Sequence, residues 1–434
     1  MYILNDSLRD EKSMGKAVNQ IKRDYIWNTI AGLINAAEAV VMSMIVTRIT
    51  GLTDAGMLTI AFAVGNLMMS VGKFGVRNYQ VTDIEDRFSF PVYLRTRLFT
   101  VFIMIISVCG YLVYASKRLG YDQNKMGIIF MVCMIYAVEA VEDVFWGYYQ
   151  RRDRMAAGAK LFCLRWMGIL IAFPIVLWIS EDLRITLFVC FVISLALCVV
   201  LVHLSYGSIC REDDREIKFF IHRKDIPEIR QLLVIVFSLF GISFLSFYVN
   251  NAPKYAIDAC LTDEVQACYG FVAMPVFVIG LLNNFVYQPT LVPMAVEWEQ
   301  KQKKRFTYRI YRQLGIIAII SVICLVGANI AGIPVLSWLY HTDLSAYKGE
   351  LMILLAAGGF LAISGYLSVV LTIMRCQKDL LWPYGLVAVG ALLGLRGIVL
   401  QYGTVGAAVC YLFLMALLCA LYGIILMIRL RDAR

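Results

Sequence analysis

The chain has 434 residues, of which 60% are hydrophobic and 16% charged, with 40 Lys and Arg against 31 Asp and Glu. Its mean hydropathy is +0.73, more apolar surface than a soluble domain of this size could bury. The net charge of +9 reflects where cations sit along a membrane chain and gives no case for nucleic-acid binding.

Apolar runs of about 20 residues, enough to cross a bilayer as helix, predict an all-α polytopic membrane protein. About twelve spans are expected, at 25–47, 57–77, 98–115, 126–148, 160–179, 185–206, 231–251, 266–290, 313–332, 351–373, 382–400 and 404–428. Residues 1–24 are polar and helix-compatible. The run that follows is too long for a signal-peptide core and lacks a small-residue cleavage site, so it reads as the first span. With the N-terminus inside, about 30 of the 40 basic residues fall on inner segments, and the outer loops hold Arg48, Lys117, Arg118, Lys125, Arg184, Lys254 and Lys348. This asymmetry predicts a multi-pass protein with both termini in the cytoplasm.

The first span carries Asn28, Asn35 and Glu38 on one face. In the second, Thr59, Asn66, Ser70, Lys73 and Arg77 all point within about 40° of one direction at helical pitch. A helix in lipid cannot expose such a stripe to hydrocarbon, so it must face protein or water. Ending in two cations, it points to a path for something polar and anionic. The fourth span places Glu139, Glu142 and Asp143 on one face, with Tyr136 and Trp146 nearby. Two readings stand: coupling to a proton or cation, or pairing with Arg165 or the basic residues at 151–154. Glu38 is a second coupling candidate. Arg165 sits five residues into the fifth span, near its inner end. His203, alone near the end of the sixth, reads as structural.

The longest polar connection, 207–230, divides the chain into 1–206, with a cytoplasmic N-terminal segment and six spans, and 231–434, with six more. Leu52-Thr53-Asp54 after span one is echoed by Leu261-Thr262-Asp263 after span seven. Two six-span repeats would be related by a pseudo-two-fold axis along the membrane normal, with substrate bound between them. Arg165 and Arg396 then occupy equivalent spans, five and eleven.

In the second half, span seven carries Ser243, Ser246, Asn250 and Asn251, and span eight carries Asn283, Asn284, Tyr287 and Gln288. Spans 1, 2, 7 and 8 are therefore expected to line a cavity, although single Ser and Asn residues also hydrogen-bond between membrane helices. The basic stretches Lys218–Lys224 and Lys301–Arg305 are expected to touch anionic lipid.

No chemistry beyond binding stands out. Gly72-Lys73 is not a P-loop, because Phe74 follows and the glycine spacing is wrong. There is no catalytic triad, zinc motif or CxxC pair, so neither enzyme activity nor a cofactor is expected. Most of the twelve cysteines lie in apolar spans as small hydrophobes.

Thr47-Arg48-Ile49-Thr50-Gly51 closes span one with an arginine and a glycine. Phe74-Gly75-Val76-Arg77-Asn78-Tyr79-Gln80-Val81-Thr82-Asp83 follows span two and continues through Phe88-Ser89-Phe90 and Tyr93. In these stretches the chain resembles bacterial polysaccharide flippases of the multidrug/oligosaccharidyl-lipid/polysaccharide exporter superfamily, over nearly all twelve spans. The resemblance implies two six-helix bundles, a cationic central cavity and alternating access in the bacterial cytoplasmic membrane. It implies movement of undecaprenyl-pyrophosphate-linked oligosaccharide from inner to outer leaflet for surface polysaccharide synthesis. Related lipid II flippases usually carry two further spans, which argues against that substrate.

On this reading Arg48, Lys73, Arg77, Arg165 and Arg396 would neutralise pyrophosphate, and Asn28, Asn35, Asn66, Asn250 and Asn284 would bond sugar hydroxyls. Glu38, Glu139, Glu142 and Asp143 are the ion-coupling candidates. The expected partners are the lipid-linked oligosaccharide, membrane lipids and polysaccharide-assembly proteins. The alternative is a cation-coupled multidrug exporter of the same superfamily, and the sign of the cavity's charge discriminates the two.

Overall fold

The computed structural model describes residues 2–83, 85–209 and 225–432. Among them every regular element is a helix: α1 (Tyr2–Ile49), α2 (Leu52–Lys73), α3 (Val76–Thr82), α4 (Phe90–Arg118), α5 (Gln123–Arg151), α6 (Met155–Ser180), α7 (Leu183–Ile209), α8 (Ile226–Asp258), α9 (Asp263–Tyr287), α10 (Leu291–Glu299), α11 (Lys303–Tyr340), α12 (Lys348–Ile373) and α13 (Leu381–Asp432). Most of the expected linker, including Arg211–Glu216 and Lys218–Lys224, lies outside the described residues.

Ten described stretches are long and apolar enough to cross a bilayer. The last of them covers two spans, because Gly403 breaks α13 with φ 59 and ψ −142, a conformation open to glycine and closed to most residues. The 29-residue α5 is long enough to cross and is set apart only by its carboxylates. Twelve crossings result, each overlapping an expected span. The helices extend further than the apolar runs, since polar residues at their ends continue the backbone ladder without belonging in hydrocarbon.

One boundary is a correction. Span two does not run to Arg77. Phe74 (φ 45) and Gly75 (φ 70) are left-handed, so α2 ends at Lys73 and Arg77 rides on the separate short helix α3. The polar stripe is thus broken between its last two members.

Packing divides the chain into two compact units. The first comprises Met1–Met42, Met68–Ser116 and Met126–Phe237, and the second Ser43–Leu67, Lys117–Lys125 and Ser238–Arg434.

In the first unit, the segment after α2 folds onto α5. Asp83 accepts hydrogen bonds from the Arg87 amide (3.1 Å), the Phe88 amide (3.2 Å) and the Tyr93 hydroxyl (2.6 Å). Gln80 donates to the Val144 carbonyl at 3.2 Å. Phe90 packs its ring 4.4 Å from Tyr148 and 5.6 Å from Tyr206. The motif that suggested the family resemblance is therefore a brace that fixes where α3 and Arg77 sit.

In the second unit, α2 lies against the start of α9. A Cβ on Gly56 would stand 1.8 Å from the Asp263 carbonyl oxygen, so only glycine fits. Thr53 donates to Glu264, and Lys125 sits between Asp258 (2.7 Å) and Asp263 (2.6 Å). The Tyr255 hydroxyl donates to the Ala63 carbonyl at 2.8 Å. Both copies of the Leu-Thr-Asp echo stand at helix starts here, with Thr53 of the first reaching Glu264 just after the second.

Candidate functional site

Each unit holds a cavity. The first, of about 270 Å³, lies among α1, α2, α3, α5 and α6. Helical spacing puts Glu139, Glu142 and Asp143 on one face of α5, and cations from four other helices converge on it. Lys73 Nζ lies 3.0 Å from Glu139 Oε1, and Arg165 Nη2 lies 3.2 Å from Glu139 Oε2. Arg165 Nε donates to Glu142, and its Nη1 reaches Ser194 at 3.2 Å. Arg77 Nη1 meets Asp143 Oδ1 at 3.1 Å, and Arg97 Nη2 meets Asp143 Oδ2 at 2.8 Å. Arg97 also donates to the Gly72 carbonyl at 2.9 Å, and Arg77 lies 4.3 Å over the Trp146 ring.

Every carboxylate of that face is therefore paired with a cation. Of the two sequence readings of the α5 acids, the geometry fits pairing with Arg165. The basic residues at 151–154 pair elsewhere or lie apart: Arg151 meets Asp83 and Asp86, and Arg152 covers the Tyr148 ring.

Exposure sorts the cations. The Lys73 and Arg77 side chains are 30% and 22% exposed, whereas Arg97 and Arg165 are sealed at 0%. Arg165 is deeper than its place in the apolar run suggested, because α6 starts at Met155 and puts it about 15 Å along the helix. Asn28 and Asn35 line the cavity and are exposed. Glu38 is buried beside it. Its Oε1 accepts from the Tyr136 hydroxyl at 3.1 Å, and its Oε2 has no partner.

The second cavity, of about 520 Å³, lies among α8, α9, α12 and α13. Its polar lining is Asn250, Asn251, Lys254, Tyr269, Tyr287 and Tyr411; the other walls are apolar apart from backbone. No carboxylate among the described residues pairs with Lys254. The side-chain oxygens of Asn250 and Tyr269 are buried without a hydrogen-bond partner. Pro253 adds to the polarity, because it has no N–H to donate to the Val249 carbonyl one turn back. Among the described residues the cavity thus holds one cation without a paired carboxylate and two buried oxygens without a hydrogen-bond partner, an arrangement able to bind an anion.

The remaining candidates lie elsewhere. Asn66 is half-buried and donates back to the Phe62 carbonyl at 2.9 Å. Arg48 caps the end of α11 by donating to the Trp338 and Leu339 carbonyls at 3.3 and 3.1 Å. Arg396 is exposed. None of the three lines either cavity. The side chain of Asn284 lies outside the described residues.

Sequence reasoning missed Lys254 and Arg97. Lys254 was placed in an outer loop because the apolar run stops at 251, yet α8 continues to Asp258. The signal was present: Ser243, Ser246, Asn250 and Lys254 follow one another at spacings of 3, 4 and 4, a single helical stripe. Arg97 stood one residue before the expected start of span three, but α4 begins at Phe90.

No protein-family model matches the sequence, and no curated protein matches it. Solved structures do. An inward-facing multidrug-resistance MATE transporter of the MOP superfamily is similar over 93% of this chain and 95% of its own, with 12% identity and TM-score 0.69. The lipid II flippase MurJ, in an inward closed conformation, is similar over 93% of this chain and 89% of its own, with 11% identity and TM-score 0.70. The chain shares the fold of these transporters. A MOP transporter from Pyrococcus furiosus, described by the reverse polarity of its binding pocket, shares this fold over 96% of both chains, with 14% identity and TM-score 0.58. At such identities the likeness concerns architecture, and the reading of substrate falls to the cavities.

Proposed function

We propose that the chain is a flippase that moves undecaprenyl-pyrophosphate-linked oligosaccharide from the inner to the outer leaflet by alternating access. Both termini lie in the cytoplasm of a bacterial cell. The observation that carries this reading is Lys254, an unpaired cation in the larger cavity. A cation in low dielectric without a counter-charge is unfavourable, and a pyrophosphate would relieve it. Asn250, Asn251 and the tyrosine hydroxyls would meet sugar hydroxyls around it. A cationic drug would be repelled from the same place.

In the first unit Lys73 and Arg77 face the smaller cavity with Asn28 and Asn35 and make a separate polar site. Their charges are already engaged by Glu139 and Asp143, so an incoming anion there must compete with carboxylates. Arg48, Arg396 and Asn66 are weaker candidates, since they line neither cavity.

Flipping of fluorescent lipid-linked sugar in reconstituted vesicles tests the proposal. Lys254→Gln is expected to slow flipping at least tenfold, as loss of a charge-assisted bond to phosphate would, while the protein remains in the membrane. Unaltered flipping would remove the main support.

A second reading, cation-coupled drug export, draws on Glu38, whose free Oε2 is buried near Glu139. It expects ethidium efflux that depends on Glu38 and is indifferent to Lys254.

A further inference from the structure

A third concavity, of about 230 Å³, opens where the start of α6 meets α1 and the end of α7. Three cations line it: Arg23 from α1, Arg154 at the N-cap of α6, and Lys160 nearly two turns further on. None of them pairs with a carboxylate among the described residues. The carboxylate that reaches the groove, Asp24, is occupied otherwise. It accepts from Gln20 Nε2 at 3.0 and 3.1 Å and from the Ala156 amide at 2.7 Å. Arg23 donates to Gln20 at 2.7 Å, and Lys160 Nζ stands 5.1 Å over the Trp27 ring.

The walls between the cations are apolar: Leu161, Leu164 and Leu201. Beyond the groove the same three helices present a continuous greasy surface. On α1, Ile26 is 45% exposed. On α6, Leu164 and Ile171 are 48% and 61% exposed, and on α7, Val200 and Leu204 are 53% and 65% exposed. Trp27 and the strongly exposed Tyr25 mark the depth at which aromatic side chains settle at a membrane–water boundary. The groove therefore sits at headgroup level, with hydrocarbon-facing surface directly below it. The N-terminus of α6 is already met by the Asp24 carboxylate, so the free positive charge of the groove is that of its three cations.

We infer that this groove is a binding site for the phosphate of an anionic glycerophospholipid, with Arg23, Arg154 and Lys160 around the headgroup and the acyl chains along Leu164 and Leu201. The charge of the lining and the apolar face beneath it select this ligand. A free anion would use the cations and have no use for the leucines, and a zwitterionic lipid would bring its own cation against three others. The site belongs to the outer surface of the first unit and takes no part in the two cavities described above. A lipid held here would pin the start of α6 to α1 and to the membrane.

The test is lipid retention by the full-length protein, read by native mass spectrometry after purification in a zwitterionic detergent. Phosphatidylglycerol, phosphatidylcholine and inorganic phosphate serve as probes. The wild type should retain phosphatidylglycerol in preference to phosphatidylcholine, and inorganic phosphate at millimolar concentration should not displace it. Each cation near a membrane surface changes binding by roughly fivefold, so Arg154→Gln with Lys160→Gln should lower phosphatidylglycerol retention by at least tenfold. Lys160→Arg should keep it. The melting temperature in lipid-free detergent should be the same for wild type and double variant, which separates lost binding from lost folding. Equal retention of the two lipids, displacement by inorganic phosphate, or undiminished phosphatidylglycerol on the double variant would each overturn the site. Binding is read without transport, so the outcome is independent of the flippase reading.

Discussion

The two cavities use buried cations in opposite ways. In the smaller one, four cations stand among three carboxylates, and every carboxylate has a partner. In the larger one, a single lysine stands with amides and tyrosines and has no counter-charge among the described residues. The first arrangement holds helices together, because each carboxylate of α5 pairs with a cation from another helix. The second leaves room for an anion, which is what the proposed flippase would bring to it. Counting charged residues per span would rank the first unit as the substrate site, whereas counting partners ranks the second.

Substitutions should separate these roles. The largest effect is expected from Arg97→Ala, which leaves Asp143 facing only the partly exposed Arg77. Breaking a buried pair from one side costs about 3–5 kcal/mol, so the variant should melt far lower in detergent or fail to accumulate. A melting curve like the wild type would show that the α5 network is not structural. Lys254→Gln should do the reverse. It removes an unpaired, half-buried charge, so thermal stability should hold or rise while flipping is lost. If the variant unfolds instead, Lys254 has a partner that its surroundings do not reveal.

Lys73→Ala comes next. Its ammonium is partly exposed and Glu139 keeps Arg165, so the expected loss of stability is about 1 kcal/mol. Flipping should weaken without loss of protein from the membrane. Unchanged flipping would remove Lys73 from the substrate path and leave the smaller cavity purely structural.

The smallest effect concerns the brace after α2. Burial pushes the Asp83 carboxyl up, but the Tyr93 hydroxyl, the Arg87 and Phe88 amides and the Arg151 charge outweigh it and hold the group below its ordinary value. A carboxyl held low by the fold stabilises it above the unfolded value, and that contribution fades as pH falls through the folded one. Asp83→Asn should therefore lower the melting temperature at neutral pH, with the two proteins drawing progressively together as pH falls below about 4. A difference that persists at low pH would mean that the bonds do not depend on charge.

The spans were legible because hydrocarbon imposes a length and a composition that little else in a chain imitates. Even the division of α13 at Gly403 falls between two expected spans. The site was legible only in part. Lys73, Arg77, Asn28 and Asn35 line one cavity and Asn250 lines another, where the sequence led to one cavity shared by spans 1, 2, 7 and 8. The break at Phe74 and Gly75 was not legible, because a left-handed phenylalanine is imposed by the packing of α3 and α4 on α5, not by local preference. Arg97 and Lys254 escaped for a common reason. Each lies just beyond an apolar run, where hydropathy stops but the helix does not. Pairing is likewise invisible in sequence, since Glu139 and Asp143 find partners 66 and 46 residues away.

The account is tested most directly by the affinity of a short polyprenyl pyrophosphate for the nanodisc-embedded protein, compared across the wild type, Lys254→Gln and Lys73→Gln. Weakening by tenfold or more at Lys254, with a clearly smaller change at Lys73, is the predicted result. Equal affinity for wild type and Lys254→Gln, or a greater loss at Lys73, would contradict it.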